Sequence, residues 1–238
     1  AFDEYTPEML ELMRSTCLTI ATVLGDLMDE IVIVGGLVPA LILSPTVDEG
    51  DPYGAHVGTS DVDVALSVAL LDEERYKEVA ERLRRAHFQP DKNEDGNPTR
   101  HRWRITYGER TGTVEFLIEP ARGLKPGRIQ NLERDIGAIA MKGMHLAFQD
   151  CRSIQLSGTT IEGDTAERML KVCGAGAFVV LKALAIGGRR EKKDAYDLFM
   201  VLRSYESGPM GVAALLADHR NDPDVIDALS ILESNFAR

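Results

Sequence analysis

The stretch from Ile31 to Leu66 limits the folds open to this chain more than any other. It begins with Ile31-Val32-Ile33-Val34, a run too short and too β-branched for a helix, which reads as a buried strand. Gly35-Gly36 breaks the run, and the apolar segment Leu37 to Leu43 follows. A loop with Pro45, Asp48, Glu49, Asp51, Pro52 and Gly54 then leads to Gly58-Thr59-Ser60-Asp61-Val62-Asp63-Val64-Ala65-Leu66. The order is strand, glycine turn, helix, loop, strand. The loop reads as an ordinary surface connection, with a substrate-selecting lid as the alternative.

The second strand carries the chemistry. Alternate side chains of an extended chain share a face, so Asp61 and Asp63 point one way and Val62 and Val64 the other. Two adjacent carboxylates repel, and a divalent cation offsets that repulsion; hard oxygen ligands suit Mg²⁺. The glycine pair lets bare backbone N–H groups approach a phosphate where a side chain would clash. Further on, Val114, Phe116 and Ile118 share one face of a strand, and Thr113, Glu115 and Leu117 the other. A glutamate in so apolar a strand is costly unless exposed, paired or ligating a cation. Three carboxylates on neighbouring strands can hold two divalent ions roughly 3.5–4 Å apart. Such a pair clamps a triphosphate and activates a hydroxyl for in-line attack at the α-phosphorus.

A second constellation is Lys182 followed by Gly187-Gly188-Arg189-Arg190-Glu191-Lys192-Lys193-Asp194-Ala195-Tyr196-Asp197. Asp194 and Asp197 lie three apart and share a helical face. A short glycine-bearing connection can return them to Lys182 as an αα-hairpin. Lys182 would offer a point charge to a phosphate, with Asp194 or Asp197 orienting it or taking a proton from the acceptor hydroxyl. The plainer alternative is a salt-bridged helix pair without a catalytic duty.

Elsewhere, Thr6 to Asp29 has helical apolar spacing, and Asp72 suits an N-cap for a helix to about Ala86. Asp91 to Pro98 reads as a polar turn, and Arg100 to Tyr107 with Thr113 to Glu119 as an antiparallel hairpin. Arg100, Arg102 and Arg104 alternate with His101, Trp103 and Ile105, either coating an edge strand or forming a phosphate-facing row. His145 to Phe148 and Ser153 to Leu156 read as short strands. From Thr165 the pattern turns helical, with helices over Ala175–Ile186, Lys192–Tyr205, Val212–His219 and Pro223–Phe236. A boundary is expected near residue 120, dividing a core with an N-terminal helix (1–120) from a mainly helical part (121–238).

The formal net charge of -11 confines any nucleic-acid contact to local clusters such as Arg122, Lys125 and Arg128, or Arg189, Arg190, Lys192 and Lys193. Cys17, Cys151 and Cys173 lack metal spacing and suit core filling in a reducing setting. With no bilayer-length apolar run and no basic-then-apolar start at Ala1-Phe2-Asp3-Glu4, a cytoplasmic location without membrane partners is expected. His56 reads as structural.

Gly35-Gly36 with Gly58-Thr59-Ser60-Asp61-Val62-Asp63 resembles the signature of the polymerase-β-like nucleotidyltransferase superfamily. Glu115 fits its later acidic strand residue, where many members have Asp. Together with Lys182, Asp194 and Asp197, the chain from Ile31 to Leu202 resembles the AbiEii branch, whose members carry a Lys on one helix and an Arg/Lys-Asp-x-x-Asp helix after it. The departure is the long insert between Gly36 and Gly58. The resemblance implies an α+β fold, a mixed β-sheet with flanking helices plus a mainly helical C-terminal part. It implies transfer of a nucleotidyl group from an NTP with Mg²⁺, two ions being expected. Asp61, Asp63 and Glu115 would be metal ligands and catalytic. Gly35, Gly36, Thr59, Ser60 and Lys182 would bind nucleotide, and Lys182, Asp194 and Asp197 would serve catalysis. It further implies an RNA acceptor such as the 3′ end of tRNA, and a toxin role with an antitoxin partner. A small hydroxyl acceptor of antibiotic type, or a non-catalytic nucleotide-binding module, are the alternatives.

Overall fold

The computed structural model describes residues 6–43, 61–66, 73–189 and 191–236. The Thr6 side chain accepts a hydrogen bond from the Met9 N–H at 3.3 Å and caps helix α1 (Pro7–Leu24). A 3₁₀ segment, Gly25–Glu30, leads into β1 (Ile31–Val34), all four residues of which are buried. A second 3₁₀ turn, Gly35–Leu37, opens into the short helix α2 (Val38–Ile42). Then come β2 (Val62–Leu66), α3 (Glu73–Arg85), β3 (Gln89–Lys92), β4 (Pro98–Tyr107) and β5 (Arg110–Ile118). They are followed by β6 (Ile129–Asn131), β7 (Gly137–Ala140), α4 (Met144–Gln149), β8 (Cys151–Thr159) and β9 (Thr165–Cys173). The chain continues as helices α5 (Ala175–Gly188), α6 (Lys192–Ser204), α7 (Pro209–Leu216) and α8 (Pro223–Phe236).

The strands form one mixed sheet in the order β3-β4-β5-β2-β1-β9-β8, with β7 on β5 and β6 on β7. β2 runs antiparallel to β1 and parallel to β5, while β9 runs parallel to β1. Helix α1 packs against β5, β8 and β9, and α5 against α6, α7 and α8. This is the mixed sheet with flanking helices that the sequence implies. Cys17, Ile20 and Leu24 of α1 share a fully buried cluster with Ile33, Val64, Phe116 and Phe178. Burial of such apolar faces, at about 25 cal/mol per Å², drives the assembly. All three cysteines are free, two of them buried. Among the described residues no helix is long and apolar enough to cross a membrane.

Several sequence expectations change. The hairpin is tighter than expected, its arms meeting across Gly108-Glu109, and Gln89–Lys92 is an edge strand where a polar turn was expected from Asp91. His145–Phe148 is helical within α4, four residues being too few to separate the two periods. Thr165–Cys173 is a strand although Ala166 to Lys171 are mostly good helix formers. Nine paired positions with β8, from Cys151↔Cys173 to Thr159↔Thr165, override that propensity. The sheet therefore runs across residue 120, through β7 on β5 and β9 on β1, and the all-helical part begins at Ala175. The Asp72 cap and the loop over 44–57 lie outside the described residues.

Candidate active site

β2 lies between β1 and β5, and this placement builds the site. Asp63 faces Val34 in β1 and Glu115 in β5 across the sheet. Val62, Val64, Val114 and Phe116 are fully buried on the helix-packed face, so alternation sends Asp63 and Glu115 to the opposite one. Asp61, two residues before Asp63, falls on the same side. One oxygen from each of Asp61, Asp63 and Glu115 lies within 4.8 Å of the others.

The chain leaves β1 directly beside this cluster. Gly35 has φ +73, the left-handed region that favours glycine. A Cβ there would sit 2.6 Å from Cγ and 2.7 Å from Cβ of Asp63. The bend is thus pressed against a carboxylate, and only a hydrogen in place of a side chain permits it. Gly36 is buried in the same turn.

Electrostatics give the cluster its character. Burial, then the charges of Asp61 and Glu115, hold the Asp63 carboxyl well above the usual carboxylate range. Burial and Asp61 also raise Glu115, against the pull of Arg102. The set is hard, oxygen-only and short of positive charge, and so fits a divalent ion of the Mg²⁺ type. The chain's own reply is Arg102 on β4, in register with Glu115. Its Nη2 donates to Asp61 Oδ2 at 3.3 Å, and its Nη1 stands 3.4 Å from Glu115 Oε1. Its Nε is 3.5 Å from Asp91 Oδ2 on β3. Of the two readings of the arginine row, the edge coat fails for β4, which β3 covers.

The second constellation is a buried ion cluster between α5 and α6. Lys182 Nζ is 2.8 Å from Asp194 Oδ1 and 2.7 Å from Asp197 Oδ2. Lys193 Nζ donates to Asp197 Oδ2 at 2.8 Å, and Arg189 Nε to Asp194 Oδ2 at 2.9 Å. Burial alone would lower the Lys182 pKa, but Asp197 and Asp194 more than offset it, so the ammonium stays charged. Burial raises Asp194 less than Arg189 and Lys182 lower it, leaving it an ionised partner. The two constellations are in electrostatic contact: Lys182 and Arg189 oppose the rise at Asp63, and Arg189 does so at Glu115. Helix α2, which follows the Gly35 bend, packs on α6.

The structure therefore gathers Gly35, Gly36, Asp61, Asp63 and Glu115, with Lys182, Asp194 and Asp197 as a neighbouring charged cluster. Thr59, Ser60 and His56 lie outside the described residues. From the sequence, Arg102 stands only in an alternating row that could face phosphate, Arg189 only in a basic cluster that could meet nucleic acid, and Asp91 is not singled out as a site residue. Counting outward from a two-residue turn at Gly108-Glu109 would have paired Arg102 with Glu115; no comparable signal marks Asp91. Among the described residues one other group, Glu119, His145 and Asp224, has ligand-type atoms equally close. There, however, both His145 ring nitrogens already meet carboxylates, Nδ1 at 3.1 Å from Glu119 Oε2 and Nε2 at 2.9 Å from Asp222 Oδ2.

No protein-family model and no curated protein sequence matches the chain. Among solved structures it is similar to the solution structure of the antibiotic-resistance factor ANT(2'')-Ia. That likeness covers 86% of this chain and 91% of that one, at 15% sequence identity and a TM-score of 0.38. At that distance it assigns no role to any residue here.

Proposed function

We propose that this chain is a Mg²⁺-dependent nucleotidyltransferase that moves a nucleoside monophosphate from an NTP to a hydroxyl acceptor. The observation that carries the reading is the convergence of Asp61, Asp63 and Glu115 beside the bare bend at Gly35. These three carboxylates would hold the metal, which supplies charge neutralisation for the triphosphate when bound. In the transfer, the acceptor oxygen forms a bond to the α-phosphorus. The bond from that phosphorus to the bridging oxygen breaks, and pyrophosphate leaves. Glu115, beside Asp61 and Asp63, would take the hydroxyl proton. Gly35-Gly36 presents backbone to the phosphates. Arg189, at the exposed end of the Lys182 cluster, contributes positive charge toward them, and Thr59-Ser60 would add hydroxyls. Asp194 and Asp197 keep Lys182 charged and fixed. Catalysis in this scheme is mostly positioning and electrostatics.

Charge bears on the choice of acceptor. The net charge is -11, and Arg189 and Lys193 are tied to Asp194 and Asp197. Both features favour a small hydroxyl compound over the 3′ end of a tRNA or other RNA. An AbiEii-type toxin acting on RNA, with an antitoxin partner, is the second reading, and the sequence resemblance supports it. Incubation with each labelled NTP, Mg²⁺ and either total RNA or a pool of small hydroxyl compounds separates the two by where the label goes. Asp61→Asn or Asp63→Asn should abolish pyrophosphate release while circular dichroism stays unchanged. Normal turnover by either variant would overturn the metal assignment. NTP binding by the unaltered protein without pyrophosphate release from any acceptor would leave a non-catalytic nucleotide-binding module.

A further inference from the structure

We propose that Arg102 is a built-in counter-cation: it occupies Asp61 and Glu115 in the metal-free protein and competes with a divalent ion for them. Asp91 retains the guanidinium when the ion enters. The inference rests on the metal site proposed above and adds a residue that sets its affinity.

The contacts have the geometry of a placeholder. Committed guanidinium–carboxylate pairs are frequently bidentate, with N···O distances of about 2.7–2.9 Å. Arg102 stands instead at 3.3 Å from Asp61, 3.4 Å from Glu115 and 3.5 Å from Asp91. Only the Asp61 contact meets hydrogen-bond geometry. The buried Nε has no hydrogen-bond acceptor among the described residues. The side chain is therefore shared among three acids and committed to none. A guanidinium does not leave by losing its proton, so it must move or be outcompeted. It has somewhere to go: its side chain is one-third exposed, and Asp91 lies on the edge strand, away from Asp63. Arg104 Nε also reaches Asp91, at 3.6 Å from Oδ1, but no ion pair joins Arg104 to the three carboxylates. Arg104 thus provides an internal control of equal charge.

The test is Mn²⁺ binding without nucleotide, followed by water-proton relaxation, on the full chain and its variants. Arg102→Gln should bind Mn²⁺ about tenfold more tightly than the unaltered protein. Arg104→Gln should stay within about twofold, since it removes the same charge without uncovering a ligand oxygen. Arg102→Lys, which keeps the charge but loses the fork, should fall between. Thermal melting confirms that each variant is folded; should Arg102→Gln fail to fold, Arg102→Lys decides, tighter binding than the unaltered protein supporting the proposal. Equal or weaker binding by the deciding variant overturns it, and weaker binding would make Arg102 an organiser of the carboxylates. Equal tightening by Arg104→Gln also overturns it, leaving a general charge effect. If Asp63→Asn binds Mn²⁺ as the unaltered protein does, the metal site itself fails, and that result is separable from a failure of Arg102 alone.

Discussion

Replacing Gly35 with Ala tests the contact between backbone bend and carboxylate in isolation. Two costs add. At φ +73, an L-residue in the left-handed region costs about 1–2 kcal/mol. The new methyl would also meet Asp63, 2.6 Å from its Cγ, an overlap that side-chain rotation only partly relieves. Overpacking of this kind costs about 1–3 kcal/mol. The sum, about 2–5 kcal/mol, is a large share of the 5–15 kcal/mol typical of a folded domain. Gly108→Ala is the control: its φ is +60, but a Cβ there meets nothing within 4 Å, so only the backbone cost applies. Urea unfolding followed by circular dichroism should show Gly35→Ala less stable than Gly108→Ala by about 1–3 kcal/mol. Mn²⁺ binding should be lost in the former and kept in the latter, because Asp63 must swing away from Asp61 and Glu115. If the two variants agree within about 0.5 kcal/mol and both bind Mn²⁺, Gly35 is not held against Asp63 and the site geometry is refuted.

Three further outcomes follow from the same structure. Asp63→Asn should raise the melting temperature of the metal-free protein, since burial and two neighbouring carboxylates disfavour its charge. It should also erase any increase in melting temperature on adding Mg²⁺; a lower metal-free value would contradict the assigned repulsion. Lys182→Met leaves Asp194 and Asp197 buried without their shared cation and should cost about 3–5 kcal/mol in urea unfolding. A cost under about 1 kcal/mol would show the cluster to be slack. The third outcome concerns His145, which joins Glu119, just after β5, to Asp222, just before α8. Burial lowers its pKa, but hydrogen bonds to Asp222 and Glu119 raise it further, and the net shift is upward. Stabilisation is thus complete below the unfolded value of about 6.5 and is lost as pH rises through the higher folded value. The groups around it, Asp224, Lys142 and Asp227, pair among themselves through Lys142. Stability should therefore fall as pH rises above about 6.5, and His145→Gln should flatten that slope. An unchanged slope would move the titration elsewhere.

The half of the fold that carries the carboxylate cluster was legible because its signals are local. Four β-branched residues, a glycine pair and an Asp-x-Asp alternation each fix a face or a bend within a few residues. Parallel pairing of β2 with β5 then brings Asp63 and Glu115 side by side. Lys182 with Asp194 and Asp197 was equally readable, since helical spacing and a short connection dictate the contact. What stayed hidden depends on partners far along the chain. Thr165–Cys173 has a helical composition, and only β8 and β1 make it a strand. That strand carries the sheet past residue 120 and moves the start of the helical part to Ala175. Arg102 was legible as one of an alternating row. Its task was not, because Asp61 and Asp91 reach it only through the assembled sheet.

The most direct measurement is a crystal soaked with Mn²⁺ and a non-hydrolysable NTP, read by anomalous scattering. The account predicts a manganese peak bound by Asp61, Asp63 and Glu115, with the triphosphate against Gly35-Gly36. Manganese elsewhere, or a nucleotide bound away from that bend, would contradict it.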